Sequence, residues 1–155
     1  TLENNTGMDF CIGVAGYPEK HIEAPSKTFD LEKLKEKVDN GADYVVTQMF
    51  FDNKQYFDFV EKARQMGINV PIIPGIKPIS VRRHLNIIPQ AFFLDFPEEL
   101  VKEIEKCKNN NEVKQVGIEW AIAQSKELKQ AGVPSLHYYS MGKSENIIQI
   151  ISKVF

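Results

Sequence analysis

The stretch "YVVTQMFFD", residues 44 to 52, decides the fold, because it is an apolar run of strand length that carries one amide, Gln48. It is apolar on both faces, which is typical of a parallel strand covered by helices. On either side, "FDLEKLKEKVDNGA" (29 to 42) and "NKQYFDFVEKARQMG" (53 to 67) show helical spacing of apolar residues. The first ends in Asn-Gly, a pair that favours a helix C-cap. The stretch is therefore predicted to be a strand between two helices.

The same alternation continues outward along the chain. Three more apolar runs of strand length lie at residues 10 to 18, 70 to 76 and 136 to 141. Three helices are expected between the last two strands, and they include one that opens after Pro97 and one that runs from Asn111 to Gly132. A final helix covers residues 144 to 155. The order β-α-β-α-β-(α-α-α)-β-α predicts an α/β protein with a parallel sheet and right-handed crossovers.

Composition restricts the classes of function. The chain has 155 residues, 43% of them hydrophobic, and a formal net charge of -2, so it lacks the basic excess that nucleic-acid binding needs. Cys11 and Cys107 have no metal-ligand or disulfide spacing, so no metal site is predicted and a cytoplasmic location is expected. No run of about 18 apolar residues indicates a membrane helix, and the first residues do not resemble a signal peptide.

Four polar clusters fall where strands end, and in parallel α/β folds that edge holds the ligand. The first is the loop 17 to 23, which has Tyr, His and two carboxylates; the others are Gln48, Lys77 in "PGIKP", and "HYYSMGK" from 137 to 143. Each cluster also has a purely structural explanation. The loop 17 to 23 could be a solvated loop, and the Gln48 amide could pair with backbone. The segment "PGIKP" could be an ordinary turn, and His137 could be a neutral core histidine. Motifs for nucleophilic triads, phosphate-binding loops and zinc hydrolases are absent. A cleft lined by aromatic and amide groups suits a large planar ligand.

The number of βα units is small for any closed parallel fold. Four units cannot close an eight-stranded barrel, and the sequence lacks the G-x-G-x-x-G of a dinucleotide fold. The chain is therefore expected to be part of a larger domain.

The clusters resemble one known family. "GVAGYPEKHIEAPS", "FDLEKLKEKVDNGADYVVTQMFFD", "MGINVPIIPGIKPI" and "GIEWAIAQSKELKQAGVPSLHYYSM" are similar, in order and spacing, to the C-terminal half of methylenetetrahydrofolate reductases. The resemblance implies a (β/α)8 TIM barrel, of which residues 1 to 155 supply about strands five to eight, the N-terminal half being absent from this chain. It also implies FAD, with NADH or NADPH as co-substrate, and reduction of methylenetetrahydrofolate to methyltetrahydrofolate, which supplies methionine synthesis.

The resemblance also implies roles for residues. The cofactor contacts would be Tyr17, His21, Asp30 and Lys37, and the substrate contacts would be Gln48, Tyr139, Met141 and Lys143. The amide of Gln48 can both donate to and accept from the amide-like edge of a pterin. No catalytic residue is expected here, because the family's general-acid Glu lies in the first half of the barrel. Asp30 could instead cap a helix, and Lys37 could be a solvated helix residue.

Some positions depart from the family pattern. His84 stands near the position where the family has a second folate-binding Gln, and Lys143 replaces an Arg, which loses the bidentate fork. Lys33 and Glu36 replace residues with which some relatives contact FAD.

Two other interpretations stay open. The chain as it stands could be a non-catalytic half-barrel with negligible FAD binding that forms homo-oligomers, because unpaired edges near residues 10 to 16 or 136 to 141 demand partners. A weaker alternative is a barrel enzyme that binds a phosphorylated small molecule through Lys77 or Lys143.

Overall fold

The computed structural model describes residues 10 to 142 and 144 to 155, and in these ranges helices alternate with parallel strands as predicted. The elements are β1 (Gly13–Gly16), α1 (Lys27–Asp39), β2 (Tyr44–Met49), α2 (Asn53–Gln65), β3 (Ile72–Ile76), α3 (His84–Ala91), α4 (Glu98–Lys106), α5 (Asn110–Gln130), β4 (His137–Tyr138) and α6 (Glu145–Val154).

Helix α1 begins at a side-chain cap. The Ser26 hydroxyl accepts a hydrogen bond from the Phe29 N–H at 3.1 Å, and the helix ends at Asp39, with Asn40 as its C-cap before Gly41, which has a φ of 104°. The C-terminus is therefore as predicted. Asp30 lies inside the first turn, so the alternative that Asp30 caps the helix is wrong.

Helix α5 also begins at a side-chain cap, one residue earlier than predicted. The Asn109 side-chain oxygen accepts from the N–H groups of Asn111 and Glu112 at 2.9 and 3.1 Å, so Asn109 is the cap. An Asn triplet offers several equivalent caps, and the sequence alone does not choose among them.

The strands are shorter than the apolar runs that predicted them. β1 keeps four residues and β4 only two. In the second run, Phe50 and Phe51 leave the sheet and are almost completely buried, at 0% and 2% exposure. The apolar pattern continues past the strand end because these side chains fill the core beneath the helices.

The sheet order is β1-β2-β3-β4, with Ala15 beside Val46 and Val46 beside Ile73. Sequential parallel strands with helical connections are the arrangement of a TIM-barrel arc, so the fold is partly TIM-barrel-like. Burial along β2 alternates: Val45 is buried among helix residues, whereas Val46 and Gln48 are half-exposed. Helices therefore cover the face of β2 that carries Val45, and the face that carries Val46 and Gln48 is left half-exposed.

Two hydrogen bonds connect the carboxyl ends of β2, β3 and β4. The Thr47 hydroxyl accepts from the Gly75 N–H at 2.9 Å, and the Tyr139 hydroxyl donates to the Thr47 carbonyl at 2.9 Å. A Cβ on Gly75 would collide with the Thr47 carbonyl and the Tyr139 ring, so only glycine allows this approach. The residue before Gln48 is thereby fixed from two sides.

A second apolar cluster supports the strand ends from the side of α4 and α5. Its buried members include Leu100, Ile104 and Val113, together with Met49, the last residue of β2, and Phe51 just after it. Among residues 10 to 142 and 144 to 155, no helix combines the length and the apolar character that crossing a membrane requires.

Candidate functional site

A cleft opens at the carboxyl ends of β1 and β2. One wall is the loop 17 to 24, here called the His21 loop, and the other is the segment 91 to 96, here called the Phe93 wall. Gln48 and Met49 lie between the two walls. The residues that line the cleft are Tyr17, Pro18, Glu19, Lys20, His21, Ile22, Gln48, Met49, Ala91, Phe92 and Phe93.

The His21 loop is held by its own backbone and by α1. The Asp30 carboxylate accepts from the His21 N–H at 2.8 Å, and the Ala24 N–H donates to the His21 carbonyl at 3.0 Å. The imidazole Nδ1 accepts from the Glu23 N–H at 3.2 Å, so a neutral His21 ring carries its proton on Nε2. The rings of Tyr17 and His21 meet edge-to-face with centroids 4.7 Å apart. This arrangement gives the cleft a rigid aromatic wall.

Burial and charge act on the tyrosine of this wall. Burial raises the pKa of Tyr17, and the nearby Asp30 carboxylate raises it further. The Tyr17 hydroxyl therefore stays protonated and is available as a hydrogen-bond donor at neutral pH.

Gln48 faces the same cleft from β2. Its Oε1 accepts from the N–H of Met49 at 2.9 Å, which fixes the orientation of the amide. Within the described residues, its Nε2 has no hydrogen-bond partner. The free-energy cost of half-burying this amide is thus only partly offset, because the protein provides a partner for Oε1 but not for Nε2. Nε2 therefore remains free to donate to a ligand.

The Phe93 wall was not foreseen from the sequence. Phe92 and Phe93 follow directly after α3, and the ammonium group of Lys20 lies 4.5 Å from the centre of the Phe93 ring. Two consecutive aromatic residues at a helix end were the available signal. Their contact with the His21 loop depends on tertiary packing that no local pattern shows.

Glu19 connects the two walls. Its Oε2 accepts from the Asp95 N–H at 2.8 Å, while its Oε1 is buried without a hydrogen-bond partner in the described residues. The side chain is 6% exposed, which is rare for glutamate. Burial raises its pKa to about 7, against the opposing effect of the Asp95 N–H. The sequence indicated two carboxylates in this loop but did not distinguish the buried one from the exposed Glu23.

A second cavity adjoins the ends of β3 and β4. Tyr139 and Met141 line it together with Lys77, Arg83 and His84. The predicted substrate residues are thus divided, with Gln48 in the first cavity and these two in the second. Met141 is 75% exposed and has a φ of 51°.

The second cavity is positively charged. Burial lowers the pKa of Lys77, and the pKa of His84 is lowered by burial and then by the charges of Lys77 and Arg83. The His84 Nδ1 faces the Ser80 N–H at 3.4 Å. His84 and Tyr139 therefore line the same cavity. From the sequence, His84 is expected near the position of the family's second folate-binding Gln.

Three further residues from the sequence analysis, Lys33, Glu36 and Lys37, line neither cavity. Lys37 is exposed in the last turn of α1, about 10 Å along the helix axis from Asp30. Lys33 and Glu36 pair with each other at 2.6 Å on the exposed side of α1. Lys143 lies outside the described residues.

Fold and cleft together define a parallel α/β protein with a candidate ligand site, a cleft at the carboxyl ends of its strands. The chain belongs to the methylenetetrahydrofolate reductase family, whose sequence model matches residues 1 to 154. The predicted resemblance is confirmed.

Individual relatives agree with this assignment. The probable methylenetetrahydrofolate reductase (NADPH) of Caenorhabditis elegans is 37% identical over 99% of this chain and 23% of its own length. Methylenetetrahydrofolate reductase (NADH) 1 of Arabidopsis thaliana is 41% identical over 97% of this chain and 27% of its own. The 5,10-methylenetetrahydrofolate reductase of Pectobacterium carotovorum is 37% identical over 88% of this chain and 46% of its own. The chain thus spans a quarter to a half of these relatives.

One solved structure has a similar fold. It is an uncharacterized protein from Clostridium thermocellum that binds two copies of 5-methyl-5,6,7,8-tetrahydrofolic acid. The TM-score is 0.59 at 20% identity, and the match covers 94% of this chain and 52% of that one. This likeness supports the α/β fold.

Proposed function

We propose that this chain is the C-terminal half of the catalytic barrel of a methylenetetrahydrofolate reductase, with β1 to β4 as strands five to eight. The complete protein would use FAD and NADH or NADPH to reduce methylenetetrahydrofolate to methyltetrahydrofolate. It would act in the cytoplasm, in the one-carbon metabolism that supplies methionine. Family membership supports the reaction class, and the geometry of the first cleft supports the binding roles.

One observation carries the proposal: Gln48, Tyr17 and His21, from separate segments, line one cleft. Aromatic side chains on both walls offer apolar surface for a planar ring, and a fixed amide with a free donor suits the hydrogen-bonding edge of a pterin. The donor set therefore fits a flavin and a folate. FAD, when bound, supplies the hydride-transfer chemistry.

The residues of this chain would bind and orient the flavin and the folate. Tyr17 and His21 would hold the flavin, with Asp30 fixing the His21 backbone and Lys37 reaching a more distant polar part of FAD. Gln48 would orient the pterin. Tyr139, Met141 and Lys143 would contact the rest of the folate, with Tyr139 held by its bond to Thr47. No general acid is assigned within this chain.

The proposal is tested by replacing Gln48 in the full-length protein that carries this sequence. In Gln48→Ala we expect folate-dependent turnover to fall by about tenfold or more, because oriented hydrogen bonds to the substrate are lost. NADH–menadione turnover, which needs the flavin but no folate, should fall much less. Gln130→Ala, on the exposed end of α5, is the matched control. A colourless wild-type protein, or full folate activity in Gln48→Ala, would contradict the proposal.

A second proposal concerns the chain in isolation. Phe10 and Ile12 are 47% and 36% exposed next to β1, and Ala15 is exposed on the uncovered face of the sheet. We propose that residues 1 to 155 alone form homo-oligomers through this edge or the β4 edge, and bind little FAD. Gel filtration with absorbance detection should show a colourless dimer or larger species. A monomer that carries flavin would contradict this.

A further inference from the structure

The two walls of the first cleft are joined at few points. Among the described residues, one hydrogen bond and one cation–π contact connect the His21 loop with the Phe93 wall. The hydrogen bond runs from the Asp95 N–H to Glu19, across 76 residues of sequence. The cation–π contact is between Lys20 and the Phe93 ring. Within the described residues, the bond from the Asp95 N–H to Glu19 is therefore the only hydrogen bond between the two walls.

The environment of Glu19 does not favour a permanent charge. Its second oxygen is buried and unpartnered, so an ionised carboxylate there has lost water without a full replacement. The charged groups that act on it are Asp95, Lys27 and Asp52, of which only Lys27 favours ionisation. Lys20, its neighbour in the chain, donates instead to the Ala24 carbonyl at 2.5 Å. Proton uptake would place the hydrogen on the unpartnered oxygen and leave the other oxygen as a neutral acceptor.

Separation of the two walls would return the Glu19 carboxyl to water, where it ionises more readily than in its buried site. We propose that Glu19 is a positioning residue that couples proton binding to the spacing of the cleft. In the protonated state it keeps the Phe93 wall against the His21 loop, and ionisation weakens that link, because the buried carboxylate regains water only when the walls separate. Glu19 does not touch the reacting atoms in this role; it acts through the aromatic side chains on both sides.

The link itself is tested without any ligand, by amide hydrogen exchange at Asp95 measured by NMR. In the wild-type full-length protein, the protection factor at Asp95, corrected for intrinsic exchange, should fall about fivefold between pH 6 and pH 8, because ionisation of Glu19 favours separation of the walls. Glu19→Gln keeps an acceptor but cannot ionise, so its protection should be independent of pH. Glu23→Gln, an exposed glutamate in the same loop, should behave like wild type. Equal pH dependence in wild type and Glu19→Gln would overturn the proposal.

The consequence for binding rests on the proposed function. The affinity of the protein for 5-methyltetrahydrofolate, measured by fluorescence titration, should be higher at pH 6 than at pH 8, and Glu19→Gln should remove most of this difference. His21 and the second cavity are the same in both proteins, so the comparison isolates Glu19. An unchanged pH profile in Glu19→Gln overturns the positioning role. Absence of folate binding in every variant contradicts the proposed function, and the exchange experiment still decides the role of Glu19.

Discussion

Individual side chains at the first cleft show what sequence does and does not determine. Tyr17, His21 and Gln48 were predicted as binding residues, and all three line one cleft, although their roles in binding remain proposals. The burial of Glu19 could not be predicted, because it depends on Asp95, which is distant in sequence. A sequence pattern identifies the residues that belong to a motif. Packing between segments that are far apart in sequence decides which of these residues are buried.

Glu19 makes the stability of the protein depend on pH. Its pKa is about 7 in the folded state and near 4.5 in the unfolded state, so folding favours the protonated form. This contribution is fully present below the unfolded pKa and is lost as the pH rises through 7. Urea unfolding should therefore show a larger decrease in stability from pH 5 to pH 8 in wild type than in Glu19→Gln. A parallel decrease in both proteins would show that the Glu19 carboxyl is not perturbed.

Elements with strong periodicity were predicted well, and their ends less well. The helices were found from apolar spacing, and Asn-Gly marked the end of α1. The first turn of α1 was missed, because Ser26 acts as a cap through one local hydrogen bond and not through periodicity. Strand lengths were overestimated, because apolar residues such as Phe50 continue into the core beyond the sheet.

Two serines allow the cap to be tested. Ser26→Ala removes the acceptor for the Phe29 N–H and should destabilise the protein by about 1 kcal/mol. Ser144→Ala is the matched control, because Ser144 precedes α6 but makes no side-chain cap hydrogen bond. We expect urea unfolding of Ser144→Ala to match wild type within about 0.5 kcal/mol. Equal losses in the two variants would show that the Ser26 hydroxyl has no capping role.

At the scale of the whole molecule, the order of elements was sufficient to predict a parallel sheet, and the structure confirms it. The half-exposed face of β2 does not follow from the apolar pattern alone, because apolar residues on both sides of a strand do not show whether a helix or a barrel interior covers the second face. Half-exposed Val46 and Ile73 share that face with Gln48, and a barrel interior is one environment that would cover it. The assignment to strands five to eight stays a proposal.

The central claim is that the amide of Gln48 and the rings of Tyr17 and His21 form one binding cleft for a folate and its flavin partner. A crystal structure of the full-length protein with 5-methyltetrahydrofolate tests it most directly. The account predicts pterin density within hydrogen-bond distance of the Gln48 amide, between the His21 loop and the Phe93 wall. Folate bound elsewhere, with the Gln48 side chain free of contact, would contradict it.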